Sequence, residues 1–207
     1  MKLQTFTENE WVYPDTPIMN TSDSIYLETA RNANISFQVL TDLQVDEGTP
    51  VIFEWSGEKK GEFKLIPYQL IPVRVEQNSG ANVYTTLDYD SVKHFVTRKA
   101  PFYVYDVTRD IDDGMLKKGR VAFYFRIKAS KTIDPGVYES VLRICINGLD
   151  GKLHVGKINV KIKVWKAVVP SLDNCNFNMV NWLFTDSILK AHKIEYDSEQ
   201  FWKTVES

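Results

Sequence analysis

The stretch Val137-Tyr138-Glu139-Ser140-Val141-Leu142-Arg143-Ile144-Cys145-Ile146-Asn147 decides the fold of this chain. Tyr138, Ser140, Leu142, Ile144 and Ile146 fall on one parity and Glu139, Arg143 and Asn147 on the other, the period-2 alternation of a strand with one face buried. Asp134-Pro135-Gly136 supplies a turn before it, and Asn147-Gly148-Leu149-Asp150-Gly151 a hairpin loop after it. The return strand covers 152–165. Its apolar parity switches midway: Leu153 and Val155 are odd, whereas Ile158, Val160, Ile162 and Val164 are even. A one-residue slip turns every side chain to the opposite face, so a β-bulge near Gly156 is expected to absorb the switch. Lys157, Lys161 and Lys163 then share a solvated strand face.

The same logic extends upstream. Val121, Phe123, Phe125 and Ile127 alternate against Ala122, Tyr124 and Arg126, and Ile35, Phe37 and Val39 against Ser36 and Gln38. Segments 24–29, 51–55, 71–76 and 101–107 are shorter strand candidates. Between 77 and 119 the pattern loosens into turn chemistry at Asn78-Ser79-Gly80-Ala81-Asn82 and a polar excursion at 109–119, which predicts long surface loops around a short strand. Segment 1–23 reads as irregular, pinned across the domain surface by Phe6, Trp11 and Tyr13. Composition agrees: 21 Val, 15 Ile and 14 Thr stand against 14 Leu and 8 Ala, a bias toward residues that fit a pleated sheet. About eight strands with no helical period before residue 185 predict an all-β fold, an antiparallel Ig-like β-sandwich over 1–168.

Segment 169–207 behaves differently. An apolar run at 179–184 predicts one short strand, and 187–192 one or two helical turns. Asp197 with Gln200 three residues on reads as a capping box, followed by an apolar stripe of Phe201, Trp202 and Val205. The chain stops at Ser207, where this helical pattern is strongest, which implies a cut within a longer protein.

Charge and motifs exclude several functions. A net charge of −2, from 25 basic and 27 acidic residues, lacks the basic face that nucleic acid requires. No apolar window approaches the 18 residues or so of a membrane span, and the N-terminus has no signal-peptide core, so with Met1 native a cytoplasmic location is expected. Cys145 and Cys175 read as two reduced thiols. His94, His154 and His192 have no ligand spacing, and no glycine-rich phosphate loop or nucleophile elbow is present, so neither metal nor cofactor is expected. Asp110, Asp112 and Asp113 resemble the start of a calcium loop, but Gly114 and Val121 stand where such a loop needs oxygen ligands. Asp106, Asp110 and Glu139 could pair as acid and base only if the fold brought them together; loop solubility accounts for them without that assumption. Of the tryptophans, Trp55 and Trp165 lie in strand runs and read as core or junction residues. Trp182, between Asn181 and Phe184-Thr185-Asp186, is the one placed to touch a sugar, since aromatic rings stack on sugar faces and strand ends present sites in barrel enzymes.

One group of motifs carries a resemblance. Val169-Pro170, Asn181-Trp182-Leu183-Phe184-Thr185-Asp186, His192-Lys193-Ile194-Glu195 and Ser198-Glu199-Gln200-Phe201-Trp202 resemble the start of the catalytic barrel in glycoside hydrolase family 123-like proteins, which are β-N-acetylgalactosaminidase-like. Upstream, Ala30-Arg31-Asn32, Ser36-Phe37-Gln38-Val39, Thr97-Arg98-Lys99-Ala100-Pro101-Phe102 and Pro135-Gly136-Val137-Tyr138-Glu139-Ser140 are similar to their N-terminal sandwich. The resemblance implies a parent enzyme of sandwich, (β/α)8 barrel and small C-terminal β domain, acting on N-acetylhexosaminides. Its catalysis would rest on an adjacent Asp-Glu pair in the barrel and on the substrate's own acetamido group. This chain holds no such pair in a barrel strand, so no catalytic residue is assigned. Trp182 and Asp186 would meet substrate only in an intact enzyme. The expected partners are the catalytic barrel of the same polypeptide and carbohydrate. The expected role is a non-catalytic N-terminal sandwich that packs on the barrel. The alternatives are a stand-alone carbohydrate-binding module and a structural sandwich without ligand.

Overall fold

A computed structural model describes residues 1–19, 21–78, 89–94, 96–171 and 185–206. Two compact units divide the chain, Met1–Pro170 and Ser171–Ser207. In chain order the strands are β1 (Leu3–Thr7), β2 (Ser24–Arg31), β3 (Asn34–Val45), β4 (Thr49–Gly57), β5 (Phe63–Val75), β6 (Phe102–Asp110), β7 (Met115–Leu116), β8 (Gly119–Ala129), β9 (Gly136–Asn147) and β10 (Leu153–Val168); one helical turn, α1 (Tyr89–Val92), precedes β6. They form two five-stranded sheets in the orders β1-β3-β8-β5-β6 and β2-β10-β9-β4-β7. All neighbours pair antiparallel except β2 and β10, which run parallel. The Ig-like sandwich expected from residue parity is the fold observed.

Alternation places the core between the sheets. Phe37, Phe123, Phe125 and Ile127 from the first sheet meet Leu142, Ile144, Ile146, Ile158 and Ile162 from the second, all fully buried. Phe53 of β4 reaches across, edge-on to Phe123 at 5.2 Å and to Phe125 at 5.5 Å, while Phe37 stacks on Phe125 at 5.2 Å. Such rings contribute both buried area and offset or edge-to-face attraction. A second, smaller cluster of Phe6, Val12, Leu40, Leu70, Tyr105 and Ala122 lies on the outer side of the first sheet. It explains why Ala122 is buried although its neighbours Val121 and Phe123 belong to the other face.

Several expectations need correction. No bulge occurs at Gly156: β10 pairs with β9 in unbroken register from Leu153↔Asn147 to Val164↔Gly136. The even face stays inward throughout, and Leu153 and Val155 are exposed. Gly156 itself faces the core, where a Cβ would lie 2.6 Å from Leu3 Cδ2 and from Met1 Cε, so the N-terminus fills the gap that the missing side chain leaves. Segment 1–23 is not wholly irregular: β1 pairs with β3, contributing Leu3 to the main core and Phe6 to the outer one. Trp11 does not pin this segment, being 65% exposed; buried Val12 does.

β5 is more than twice as long as the 71–76 candidate. Its prolines are tolerated because each sits where one flank is open. β6 pairs only from Tyr68, one residue after Pro67, and β8 pairing ends at Gln69, before Pro72, which lies at a register shift.

In the second unit, α2 (Thr185–His192) and α3 (Glu199–Glu206) are the described helices. Ser198, not Asp197, caps α3: its Oγ accepts from the Phe201 amide at 3.1 Å. Asp197 adopts a positive φ of 61° and instead accepts from Trp202 Nε1 at 2.7 Å. The expected strand at 179–184 lies outside the described residues.

Candidate functional site

Of the two residues the sequence offered for substrate contact, Trp182 lies outside the described residues. Asp186 sits exposed in the first turn of α2. Asp106, Asp110 and Glu139 are not brought together: the first two lie on β6 in one sheet, and Glu139 lies on β9 in the other. The calcium-like run is accounted for locally. Asp113 accepts from the Met115 amide at 3.0 Å and from Arg109 Nη2 at 2.6 Å, closing the β6–β7 turn. Those bonds, the Met115 amide first, hold its carboxyl below the usual range against some burial. His154, near the start of β10, pairs at 3.0 Å with Asp150 of the β9–β10 loop. No three His, Cys, Asp or Glu side chains gather to hold a metal among the described residues.

The site with the most convergent polar and aromatic groups is the outer face of the second sheet. On a strand, every second residue shares a face. Register therefore sets Tyr26 beside Lys161 and Glu28 beside Lys163, on neighbouring β2 and β10, with Glu139 opposite Lys161 on β9. A groove of about 430 Å³ runs here, lined by Ser24, Tyr26, Glu139, Val141, Asn159 and Lys161 among others. Its floor includes Ser140 and Val160, both buried.

Glu28 organises the cluster next to the groove, through Tyr26. Its Oε1 accepts from Tyr26 Oη at 3.0 Å and its Oε2 from Trp165 Nε1 at 2.8 Å, while Lys163 Nζ stands 3.8 Å away. The same ammonium lies 3.5 Å from the centre of the Trp165 ring, a cation–π arrangement. Loss of water contact and then the Glu28 carboxylate push the Tyr26 phenol above its ordinary value of 10.0. Lys161 pairs with Glu139 at 3.4 Å. The basic stripe is thus a solvated face with its own counter-ions on two of three lysines, as parity implied.

Chemically, the groove offers an aromatic ring half exposed at Tyr26, carboxylate and amide acceptors, and an ammonium. This is the donor and acceptor set that fits a polar ring with one apolar face. Sequence reading missed Tyr26 and Glu28 because their roles come from cross-strand register to residues some 135 positions away. The exposed even parity of 24–29 was the available signal.

No family model and no curated protein matches the sequence. Among solved structures, the chain resembles a family 123 glycoside hydrolase from Clostridium perfringens, studied for glycolipid glycan hydrolysis, with a TM-score of 0.66 at 11% identity. The match covers 98% of this chain and 34% of that one, so the chain spans about a third of the enzyme's length. Weaker likenesses include the periplasmic chaperone SfaE (TM-score 0.36, 6% identity, 74% of this chain and 59% of that one) and a PapD-like domain of human CEP192 (TM-score 0.31, 11% identity, 80% and 87%). What the family 123 enzyme shares with the chain is the fold.

Proposed function

We infer that this chain is the non-catalytic N-terminal sandwich of a glycoside hydrolase-like protein, packing on and supporting a catalytic barrel in the same polypeptide. The observation that carries the reading is the fold match to one third of a family 123 enzyme over nearly all of this chain. The test is an assay of the purified chain on aryl N-acetyl-β-hexosaminides beside a polypeptide that continues through a barrel. The chain alone should show no turnover and the longer protein should; turnover by the chain alone overturns the reading.

A second reading, a carbohydrate-binding module, is favoured by the groove at Tyr26, Asn159 and Lys161. Affinity electrophoresis in gels carrying N-acetylgalactosamine-rich polysaccharide should show retardation that Tyr26→Ala abolishes. Migration equal to that in plain gels rejects this reading and leaves the supporting role standing.

A further inference from the structure

We propose a second ligand site, for a small oxyanion carried on an apolar or ring-shaped body, in the cavity of about 530 Å³ between β5, β6 and the β7–β8 turn. Four cations line it, Arg109, Lys117, Lys118 and Arg120, and no Asp or Glu does. Two of them are neutralised from outside the lining: Arg109 by Asp113 at 2.6 Å, and Lys117 by a close pair with Glu47. The other two are not. Neither Lys118 nor Arg120 makes an ion pair among the described residues, and Asp15, whose charge Arg120 feels, is already bonded by Arg98.

Arg120 is also pre-organised. Its Nε donates to the Thr41 carbonyl at 2.7 Å, and its Nη1 to the carbonyls of Pro14 at 2.9 Å and Thr16 at 2.7 Å. These bonds fix the guanidinium without cancelling its charge, and they leave Nη2 with no partner among the described residues. A cation held by dipoles rather than by a carboxylate loses little freedom when it binds an anion, and hydrogen bonds between charged partners are the stronger kind. The Lys118 side chain, exposed and unbonded among the described residues, supplies a second, mobile charge. Leu70, Ile71, Pro72 and Val107 supply an apolar wall, beside Gln69 and Tyr105. That mixture selects against a bare ion and for an anion with a body to bury. The cavity lies in the first sheet, apart from the groove at Tyr26 in the second, so the proposal does not depend on either functional reading.

Arg120→Ala would remove the ties to Thr41, Pro14 and Thr16 and risks unfolding. Lys118→Glu, at an exposed position, tests the site without that risk. The chain is titrated at low ionic strength with inorganic sulfate, glucuronate and phenyl phosphate, with binding followed by calorimetry and backbone amide shifts. Phenyl phosphate should bind at least tenfold more tightly than sulfate, with shifts centred on residues 69–72 and 117–120. Glucuronate binding as tightly as phenyl phosphate assigns the site to sugar acids, and weaker binding assigns it to phosphate esters. Lys118→Glu should weaken the best ligand at least tenfold while its thermal midpoint stays within a few degrees of the parent. Absence of saturable binding, shifts confined elsewhere, sulfate binding as tightly as the larger anions, or an unchanged affinity in Lys118→Glu each overturns the proposal.

Discussion

Trp165 Nε1 donates to Glu28 Oε2 at 2.8 Å across the parallel β2–β10 pair. The bond turns a tryptophan half exposed on the sheet surface into part of a fixed cluster, because the same carboxylate holds Tyr26 and faces Lys163. Glu28→Ala should release all three partners. The Tyr26 phenol should then titrate closer to its ordinary value of 10.0, since the carboxylate that helps raise it is gone while the larger effect of burial stays. Partly exposed charged pairs contribute about 0.2–1 kcal/mol, so the stability loss should be small. Carbon-13 tyrosine NMR across the alkaline range reads the first effect; a Tyr26 titration identical to that of the parent would show that Glu28 does not act on it.

Gly57 ends β4 with φ of 136°, and a Cβ there would lie 2.5 Å from the Glu139 carbonyl oxygen and 2.5 Å from Ser140 Cα. Those are backbone atoms of the neighbouring strand and cannot swing aside. Gly57→Ala should therefore lower stability by more than ~2 kcal/mol, combining local strain with displaced β9 backbone. Gly48, with φ of 79° and nothing within 4 Å of a built Cβ, isolates the conformational cost alone, and Gly48→Ala should lose only about 1 kcal/mol. Urea midpoints of the two variants compare them directly, and equal losses would contradict the steric argument.

The contrast between these glycines and Gly156 shows what a sequence can reveal of this fold. Parity located most of the strands, since the odd and even faces of β8, β9 and β10 differ in polarity over many residues. It failed where a strand serves two cores, as β1 does with Leu3 and Phe6, because such a strand has no polar face to contrast. It failed at β5 because prolines mark a breaker only when both flanks are paired. It proposed a bulge near Gly156 because Leu153 and Val155 are apolar, but both stand exposed on the wet face, so the parity switch marks no change of face. The groove at Tyr26 was illegible for another reason: Glu28, Trp165 and Lys163 meet through register, not through spacing.

The segment ahead of β2 is held down by charge as well as by Val12. Arg98 Nη1 donates to Asp15 Oδ1 at 2.8 Å, and its guanidinium lies 4.8 Å from the Tyr13 ring and 5.5 Å from the Phe102 ring. The Arg98 hydrogen bond is the largest influence holding the Asp15 carboxyl below its ordinary 3.8. Glu47 and Asp150 are lowered likewise, by bonds from Lys117 and His154 respectively. A carboxylate with a lowered folded value stabilises the fold above its unfolded value, and the benefit vanishes as pH falls through the folded one. Stability should therefore be level between about pH 5 and 7 and decline as pH drops below about 4. Asp15→Asn should flatten part of that decline, and proteolysis near residues 8–19 should quicken in this variant at neutral pH. An acid profile unchanged by Asp15→Asn would remove the pair from the account.

Tyr105 governs the opposite end of the pH range. It is 8% exposed within the outer cluster, and its Oη donates to the Arg120 carbonyl at 3.3 Å. Burial pushes its phenol up to about 12 from an ordinary 10.0, outweighing the nearby Arg120 charge that acts the other way. A folded value above the unfolded one means that the fold is fully favoured below pH 10 and loses stability as pH rises through about 12, because the unfolded chain gives up the proton first. Tyr105→Phe removes that titration while keeping the ring among Phe6, Val12 and Leu70. The variant should cost about 1 kcal/mol at pH 7 for the lost hydrogen bond. It should then converge on the parent at about pH 11 and overtake it above, because the parent's loss on titration exceeds one hydrogen bond. Denaturant midpoints at pH 7, 10 and 11.5 measure the gap, and a gap that stays constant with pH would show that burial does not raise the phenol.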